Sequence, residues 1–436
     1  MILNSNVVGI IADDLTGAND TALQFRLRGA NTQILLGDDV APLNISNTQT
    51  WAIPTESRNV TPSEAYEKVK HTAQKFVDVL KADYYYKKID STVRGNIAVE
   101  ALAILETLGW DAVIVIPAFP QEGRITVGGY HLLNGVPIER TEMARDPHSP
   151  IFESHLPTLF KSQLSEEWHN IIDTINLSTV MKGAGPILMK LNELIREGKK
   201  LIIADAVSMT DIEQLVLAIT KSDNQILPAG TAAAGKAFSE IWFPNVEIEP
   251  IEKQVPYLPK FIVSGSATQI TAKQIEALEN SEEFREDLLS VSLDMLTVLG
   301  GVKEDLVNEI ISGLSNNKTV MVHTSNLMKT FDTLSEESLR AELTKAELAN
   351  SITDFLADLT QKVVSQKEAI LITLGGETSY KCCASINADQ LQLIDQVAPA
   401  IALSVDHNSQ WIVTKSGNLG NENTLINIIK YFDCCK

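Results

Sequence analysis

The chain has 436 residues, 44% hydrophobic and 21% charged, with a formal net charge of -20. That length exceeds one ordinary hydrophobic core and predicts two domains. The acidic balance argues against a general nucleic-acid or membrane-surface binder, which carries a basic face; a small anionic ligand stays open, because local Arg and Lys decide that.

The N-terminus "MILNSNVVGII" has no charged region ahead of its apolar run and no cleavage site, and no apolar run reaches membrane-spanning length. A cytoplasmic protein is expected. "VVGIIA" predicts a buried strand, "GANDTALQFRLRG" a helix closed by Gly29, and "TQILL" a strand. "TPSEAYEKVKHTAQKFVDVLK" predicts a helix opened by a capping box: Thr61 caps, Pro62 takes the first turn and Glu64 reaches back. Tyr66, Val69, Phe76 and Leu80 form its apolar face. Then follow "YYYKKID" (strand), "IAVEALAILETLG" (helix), "AVIVIP" (strand), a long loop, and "LIIAD" (strand).

Residues 246–257 carry prolines without a clear period and predict a linker. Beyond it, "FIVSGS", "TVMVHT" and "AILITLGG" read as strands, with helical stretches such as "SITDFLADLTQKVVSQ" between them. The expected organisation is two α/β domains with largely parallel sheets, at 1–245 and 258–436. The cysteines come as adjacent pairs, Cys382-Cys383 and Cys434-Cys435. Neither has the spacing of a zinc or redox site. The first pair is expected to pack a helix and the second to sit in a tail. The seven histidines are scattered without metal-ligand spacing.

Ligands of open α/β sheets bind beyond the carboxyl ends of the strands. In the first domain those positions hold Asp13, Asp14, Thr16 and Gly17; Thr55, Glu56, Ser57 and Arg58; Lys87, Lys88, Asp90, Ser91, Thr92, Arg94, Gly95 and Asn96; Gly123 and Arg124; and Asp205. A helix cap accounts for Asp14 or Thr16, and for Asp90-Ser91-Thr92, taken singly. It does not account for two adjacent carboxylates, nor for acids and bases at four strand ends. The mixture suits an anionic, hydroxylated ligand. Arg58, Arg94 and Arg124 offer planar forks for carboxylate or phosphate, and Lys88 adds a fourth cation. Asp13, Asp14 and Asp90 suit hydroxyls, and one can take a proton from a nucleophilic hydroxyl.

In the second domain "VSGSAT", "LGGETS" and "TKSGNLG" each join or follow a strand. Gly and Ser at such turns let backbone N–H groups approach phosphates at a helix N-terminus. A nucleotide is expected there, lined by Ser264, Gly265, Ser266, Gly375, Gly376, Glu377, Thr378 and Gly417, with Lys415 nearby. Neither a P-loop nor a dinucleotide fingerprint is present.

The segments "IADDLTGAND", "TESR", "KKIDSTVRGN", "PAFPQEGRITVGGYHLLNGVPI", "DPHSP", "VSGSAT", "GGETS" and "TKSGNLG", in this order, resemble the four-carbon acid sugar kinase family along nearly the whole chain. The resemblance implies an acid-sugar-binding domain followed by a nucleotide-binding domain, with the active site in the cleft between them. It also implies ATP and Mg²⁺ as cofactors, a sugar acid such as threonate, erythronate or 3-oxo-tetronate as substrate, and the homodimer habit of such enzymes. Asp13 and Asp14 then sit where the acceptor hydroxyl meets the γ-phosphoryl group, one acting on the hydroxyl and the other on a hydroxyl or the Mg²⁺ shell. Departures are "APAIALSVDHNSQ", which lacks the family's Pro-Gly turn, and Leu419, where Phe is common. The alternatives are a sensor of the same fold without turnover and an aspartyl-phosphate phosphatase; the latter needs carboxylates two apart, whereas Asp13 and Asp14 are adjacent.

Overall fold

The computed structural model describes residues 6–37, 47–146, 149–244, 255–325, 327 and 345–433. Most of the expected linker, Pro147 and His148 of "DPHSP", and the Cys434-Cys435 tail lie outside these. The described residues fall into two compact units, 6–34 with 47–244, and 35–37 with 255–433.

The first unit is built on eight parallel strands. They are β1 (Val8–Ala12), β2 (Thr32–Leu35), β3 (Thr50–Pro54), β4 (Tyr84–Lys88), β5 (Ala112–Ile116), β9 (Ile172–Ile175), β10 (Leu201–Ala204) and β11 (Ile226–Gly230). Their order across the sheet is β2-β3-β1-β4-β11-β5-β10-β9. The strands have no exposed face: every residue of "VGIIA" and "AVIVI" is buried. Continuous apolar runs of this kind are what a parallel sheet covered by helices requires. Each such side chain taken fully out of water contributes about 1.5–3 kcal/mol. Chain order reverses at β1, with β3 on one side and β4 on the other. Such a switch point opens a crevice at the carboxyl ends of the strands.

The capping expected at 61–64 is present in one half. Thr61 Oγ1 accepts from Glu64 N at 3.4 Å, while the Glu64 carboxylate lies 3.7 Å from Lys68. The helix Pro62–Lys75 passes into a π-helical turn, Phe76–Leu80. The helix at "GANDTALQFRLRG" spans Leu15–Arg26 and is capped by Leu27 before it reaches Gly29.

The segment expected to be a long loop is largely ordered structure. It holds a small antiparallel sheet of β6 (Arg124–Val127), β7 (Tyr130–Leu133) and β8 (Val136–Pro137). Helices Leu156–Gln163 and Ala184–Arg196 and the strand β9 follow. The four-residue and two-residue strands are too short to show a period, so polarity outweighed pattern there.

The second unit carries β12 (Lys260–Ser264), β13 (Leu288–Ser292), β14 (Thr319–His323), β15 (Ile370–Leu374), β16 (Gln390–Ala398), β17 (Ile401–Asp406) and β18 (Trp411–Lys415). Their order is β13-β14-β12-β15-β18-β17-β16. The first five are parallel, and β17 and β16 add an antiparallel edge. The core under this sheet includes Ile262, Leu278, Met321, Ile372, Leu403 and Trp411. Cys382 and Cys383 are free thiols buried on the helix Gly376–Ser385. Burial pushes the Cys382 thiol up to about 12, which makes it an inert packing group.

Candidate active site

At the switch point of the first unit, β1, β3 and β4 deliver their polar ends to one place. Asp14 is the N-cap of the helix Leu15–Arg26. Its Oδ1 accepts from Gly17 N at 2.8 Å and its Oδ2 from Thr16 Oγ1 at 2.8 Å. Arg58, beyond β3, ties the two acids together: Nε lies 2.7 Å from Asp13 Oδ2 and Nη1 2.8 Å from Asp14 Oδ2. Its Nη2 is 3.6 Å from Asp90 Oδ1. The adjacent carboxylates are therefore sustained by one guanidinium fork.

Asp90, beyond β4, is held from the other side. Arg94 Nε and Nη2 donate to its two oxygens at 2.9 and 3.0 Å, and Thr92 Oγ1 also donates to it. Arg94 Nη1 reaches Asp146 at 2.8 Å. Burial opposes ionisation of Asp14, but Arg58 and Lys88 outweigh it and hold its pKa below the ordinary carboxylate value. Burial likewise opposes ionisation of Asp90, and Arg94 and Arg58 hold it well below that value. Both are anions at neutral pH.

Neighbouring residues of β4 point to opposite faces of the sheet. Lys87, fully buried, sits 2.6 Å from Glu100 Oε2 on the helix Ile97–Leu108. Glu100 also accepts from Ser57 Oγ at 2.7 Å. That pair is internal scaffolding. Lys88 turns toward the helix Leu15–Arg26. A Cβ on Gly17 would lie 2.8 Å from Lys88 Nζ, so the glycine is what admits the ammonium. Among the described residues Lys88 has no ion-pair partner within bonding distance. Arg124 is 8% exposed and, among the described residues, pairs with Glu122 at 3.3 Å. Its Nε is buried without a hydrogen-bond partner among the described residues, as is Asp13 Oδ1. Buried polar atoms are ordinarily satisfied, so bare ones call for a water, an ion or a ligand group.

Other strand-end residues are structural. Asp205 accepts from the N–H groups of Gly128, Gly129 and Leu177 at 2.7–2.9 Å and fixes the turn between β6 and β7. The carbonyl of Ser91 lies 2.9 Å from His131 Nε2. Since a carbonyl only accepts, Nε2 carries the proton and Nδ1 accepts from Thr126 Oγ1 at 3.1 Å. Burial pushes His131 down to about 4, so it is a neutral spacer at pH 7. Glu56, with φ 45°, accepts from Leu15 N at 2.9 Å. Burial, reinforced by Asp14, raises its carboxyl well above the ordinary value.

The second unit brings its three glycine turns together. Thr268 caps the helix Gln269–Glu279, and its Oγ1 donates to Gly417 O at 2.7 Å; Thr271 Oγ1 donates to the same oxygen at 2.9 Å. A Cβ on Gly375 would lie 3.6 Å from Ser266 N, and one on Gly417 would collide with Ser266 Oγ. A Cβ on Gly265 would collide with Thr378 Oγ1. Ser264 Oγ is buried without a partner. Gly375, Gly376 and Glu377 open the helix Gly376–Ser385, while the Glu377 carboxylate lies 3.5 Å from Lys381.

Lys415 closes this group. It is 0% exposed, pairs in register with Leu374, and its carbonyl accepts from Gly375 N at 2.8 Å. Its Nζ donates to Ser416 O at 2.8 Å, and no carboxylate among the described residues faces it. Burial pushes it down to about 7. A lysine this poorly compensated, beside a helix N-terminus, is suited to an anion. Sequence reasoning placed Lys415 only at the margin; its burial decides its importance. It missed Asp20, although a spacing of three and four from Gly17 and Thr16 puts Asp20 on their helix face.

Residues 8–238 match the family model described as a sugar-binding N-terminal domain, and residues 261–425 match that of a nucleotide-binding C-terminal domain. The chain is 30% identical to D-erythronate kinase of Heliobacterium modesticaldum, over 98% of this chain and 97% of the relative. It is 26% identical to D-threonate kinase of Salmonella typhimurium, covering 97% and 98%. It is also 26% identical to 3-oxo-tetronate kinase of Haemophilus influenzae, covering 95% and 97%. A crystal structure of a Haemophilus influenzae protein shares the fold, with a TM-score of 0.72 and 23% identity over 97% of this chain and all of that one.

Proposed function

We infer the activity from a plain premise: the chain belongs to the four-carbon acid sugar kinase family. The reading is an ATP-dependent kinase that phosphorylates a hydroxyl of a four-carbon sugar acid. The observation that carries it is Lys415, a fully buried lysine among three converging glycine turns, with no carboxylate partner among the described residues. Such a site lacks one thing, an anion that approaches backbone closely, and a nucleotide phosphate is that anion. Ser264, Gly265, Ser266, Gly375, Gly376, Glu377, Thr378 and Gly417 are its proposed lining.

The first unit supplies the acceptor side. Arg58 and Arg94 are already engaged by Asp13, Asp14, Asp90 and Asp146. Lys88, and Arg124, whose Nη1 meets Glu122 but whose Nε is bare, are therefore the cations proposed for the substrate carboxylate, while Arg58, Asp90, Ser91 and Arg94 shape the site around it. Asp13 Oδ1 suits a hydroxyl. Among the described residues no cluster of three His, Cys, Asp or Glu side chains forms a metal cage. Mg²⁺ is ordinarily held through phosphates and water with one or two carboxylates, and the bare Asp13 Oδ1 is a carboxylate oxygen that would suit it. Mg²⁺, when bound, neutralises phosphate charge. The residues position the acceptor and the phosphates, which is most of what phosphoryl transfer needs.

The test is ADP formation with D-erythronate, D-threonate and 3-oxo-tetronate, and with an uncharged four-carbon polyol as control. The expected result is ATP consumption that requires an acid, with a phosphorylated acid as product. Binding of acid and ATP without turnover would make the protein a sensor. No response to any acid, from folded protein, overturns the reading.

A further inference from the structure

Asp20 lies in the second turn of the helix Leu15–Arg26, on the face that Gly17 and Thr16 present to β4. Its Oδ1 is buried and has no hydrogen-bond partner among the described residues. The charged groups that act on it are Lys88 from β4, Glu122 and Arg124 from the segment after β5, and Asp14 at the start of its own helix. Tyr86 of β4 faces it as well, with its hydroxyl donating to Thr231 O at 2.6 Å. The neighbouring helix Ala232–Trp242 meets this helix through Gly235, against Thr21.

The other acids of the cluster are differently placed. Asp14 uses one oxygen on Gly17 N and the other on Thr16 and Arg58. Asp90 uses both on Arg94. Asp13 shares an oxygen with Arg58, and Glu56 accepts from Leu15 N. A carboxylate bound to a guanidinium is a weak base, because the proton must displace the cation's attraction. Asp20 has no guanidinium within ion-pair distance among the described residues.

We propose that Asp20 is the general base of the transfer, set beside the substrate carboxylate that Lys88 and Arg124 hold. The assignment rests on the kinase reading above. In the step, the acceptor hydroxyl passes its proton to an Asp20 oxygen. The hydroxyl oxygen forms a bond to the γ-phosphorus of ATP while the bond from that phosphorus to the bridging oxygen breaks, and ADP leaves with the electron pair. Asp20 then gives its proton to water. Burial raises the Asp20 carboxyl to about 7, with Lys88 acting against the rise and Glu122 and Asp14 adding to it. That is where a general base works best at neutral pH.

The experiment compares wild type, Asp20→Asn and Asp20→Glu in steady-state kinetics from pH 5.5 to about 9, a range chosen to bracket ordinary general-base values. Wild-type kcat is expected to rise through a limb near pH 7. Asp20→Asn is expected to lose that limb and to lower kcat by about 10²–10⁴, with KM for the acid changed far less. Asp20→Glu is expected to restore part of the rate with a displaced limb. Calorimetric ATP binding by each variant confirms that it is folded. A role confined to packing would leave the limb in place, so a retained limb, or Asp20→Asn within about threefold of wild type, overturns the assignment while the kinase reading stands. A folded wild type that turns over no acid overturns both.

Discussion

Arg58 in the first unit and Lys415 in the second are both cations withdrawn from water near strand ends, but their surroundings differ. Arg58 lies within 2.8 Å of two carboxylates. Lys415 has a backbone carbonyl at 2.8 Å and no acid among the described residues. In the first arrangement Arg58 is already paired with carboxylates, and in the proposed reading the remaining polar atoms there meet the acid's hydroxyls and carboxylate. The second is incomplete, and a bound phosphate would supply the missing charge. A kinase has reason to keep both: one site must discriminate among similar acids, and the other must hold a highly charged, generic donor.

The comparison breaks most readily at Arg58. Replacing it with Gln removes the guanidinium that both buried carboxyl groups, Asp13 and Asp14, contact, and a loss of about 3–5 kcal/mol in urea unfolding is expected. The pH dependence follows from the direction of the shifts. The folded pKa values of Asp14 and Asp90 lie below their unfolded value of 3.8. Their contribution is therefore present above pH 4 and is lost as pH falls through the folded values. Arg58→Gln should flatten that acid limb. A cost under about 1 kcal/mol would show that the cluster is not a structural unit.

Lys415 predicts a slope of the same sign in a higher pH window, and a smaller effect. Its folded pKa of about 7 lies below the ordinary lysine value of 10.5. Between these values the unfolded chain binds the proton more readily, so nucleotide-free protein should gain stability as pH rises across that window. Lys415→Met should raise stability at pH 7 and remove the slope. An unchanged slope would mean that Lys415 is solvated or paired in solution, and the contrast with Arg58 would fail.

Much of this was legible in the sequence. Continuous apolar runs marked β1, β5, β12 and β15, because parallel strands are buried on both faces. Charged residues directly after them marked the switch point. The small sheet at Arg124–Pro137 was missed, although Gly128-Gly129 and Asn134-Gly135 are hairpin signals. What sequence could not supply was partnership. Nothing in "TESR" says that Arg58 is already engaged by Asp13 and Asp14, and nothing in "TKSGNLG" says that Lys415 is buried. Asp20 reads as an ordinary polar helix residue until its bare oxygen is seen.

The most direct test of the account is crossed calorimetry on the full chain, titrating ATP and a turnover-competent acid separately into two variants. Loss of a charge-assisted contact costs about 1.5–3 kcal/mol, roughly tenfold to 150-fold in affinity. Lys415→Met is predicted to weaken ATP by that factor and to leave the acid unchanged. Lys88→Met is predicted to weaken the acid and to leave ATP unchanged. If Lys415→Met spares ATP, or Lys88→Met abolishes ATP while sparing the acid, the assignment of the two ligands to the two units is wrong.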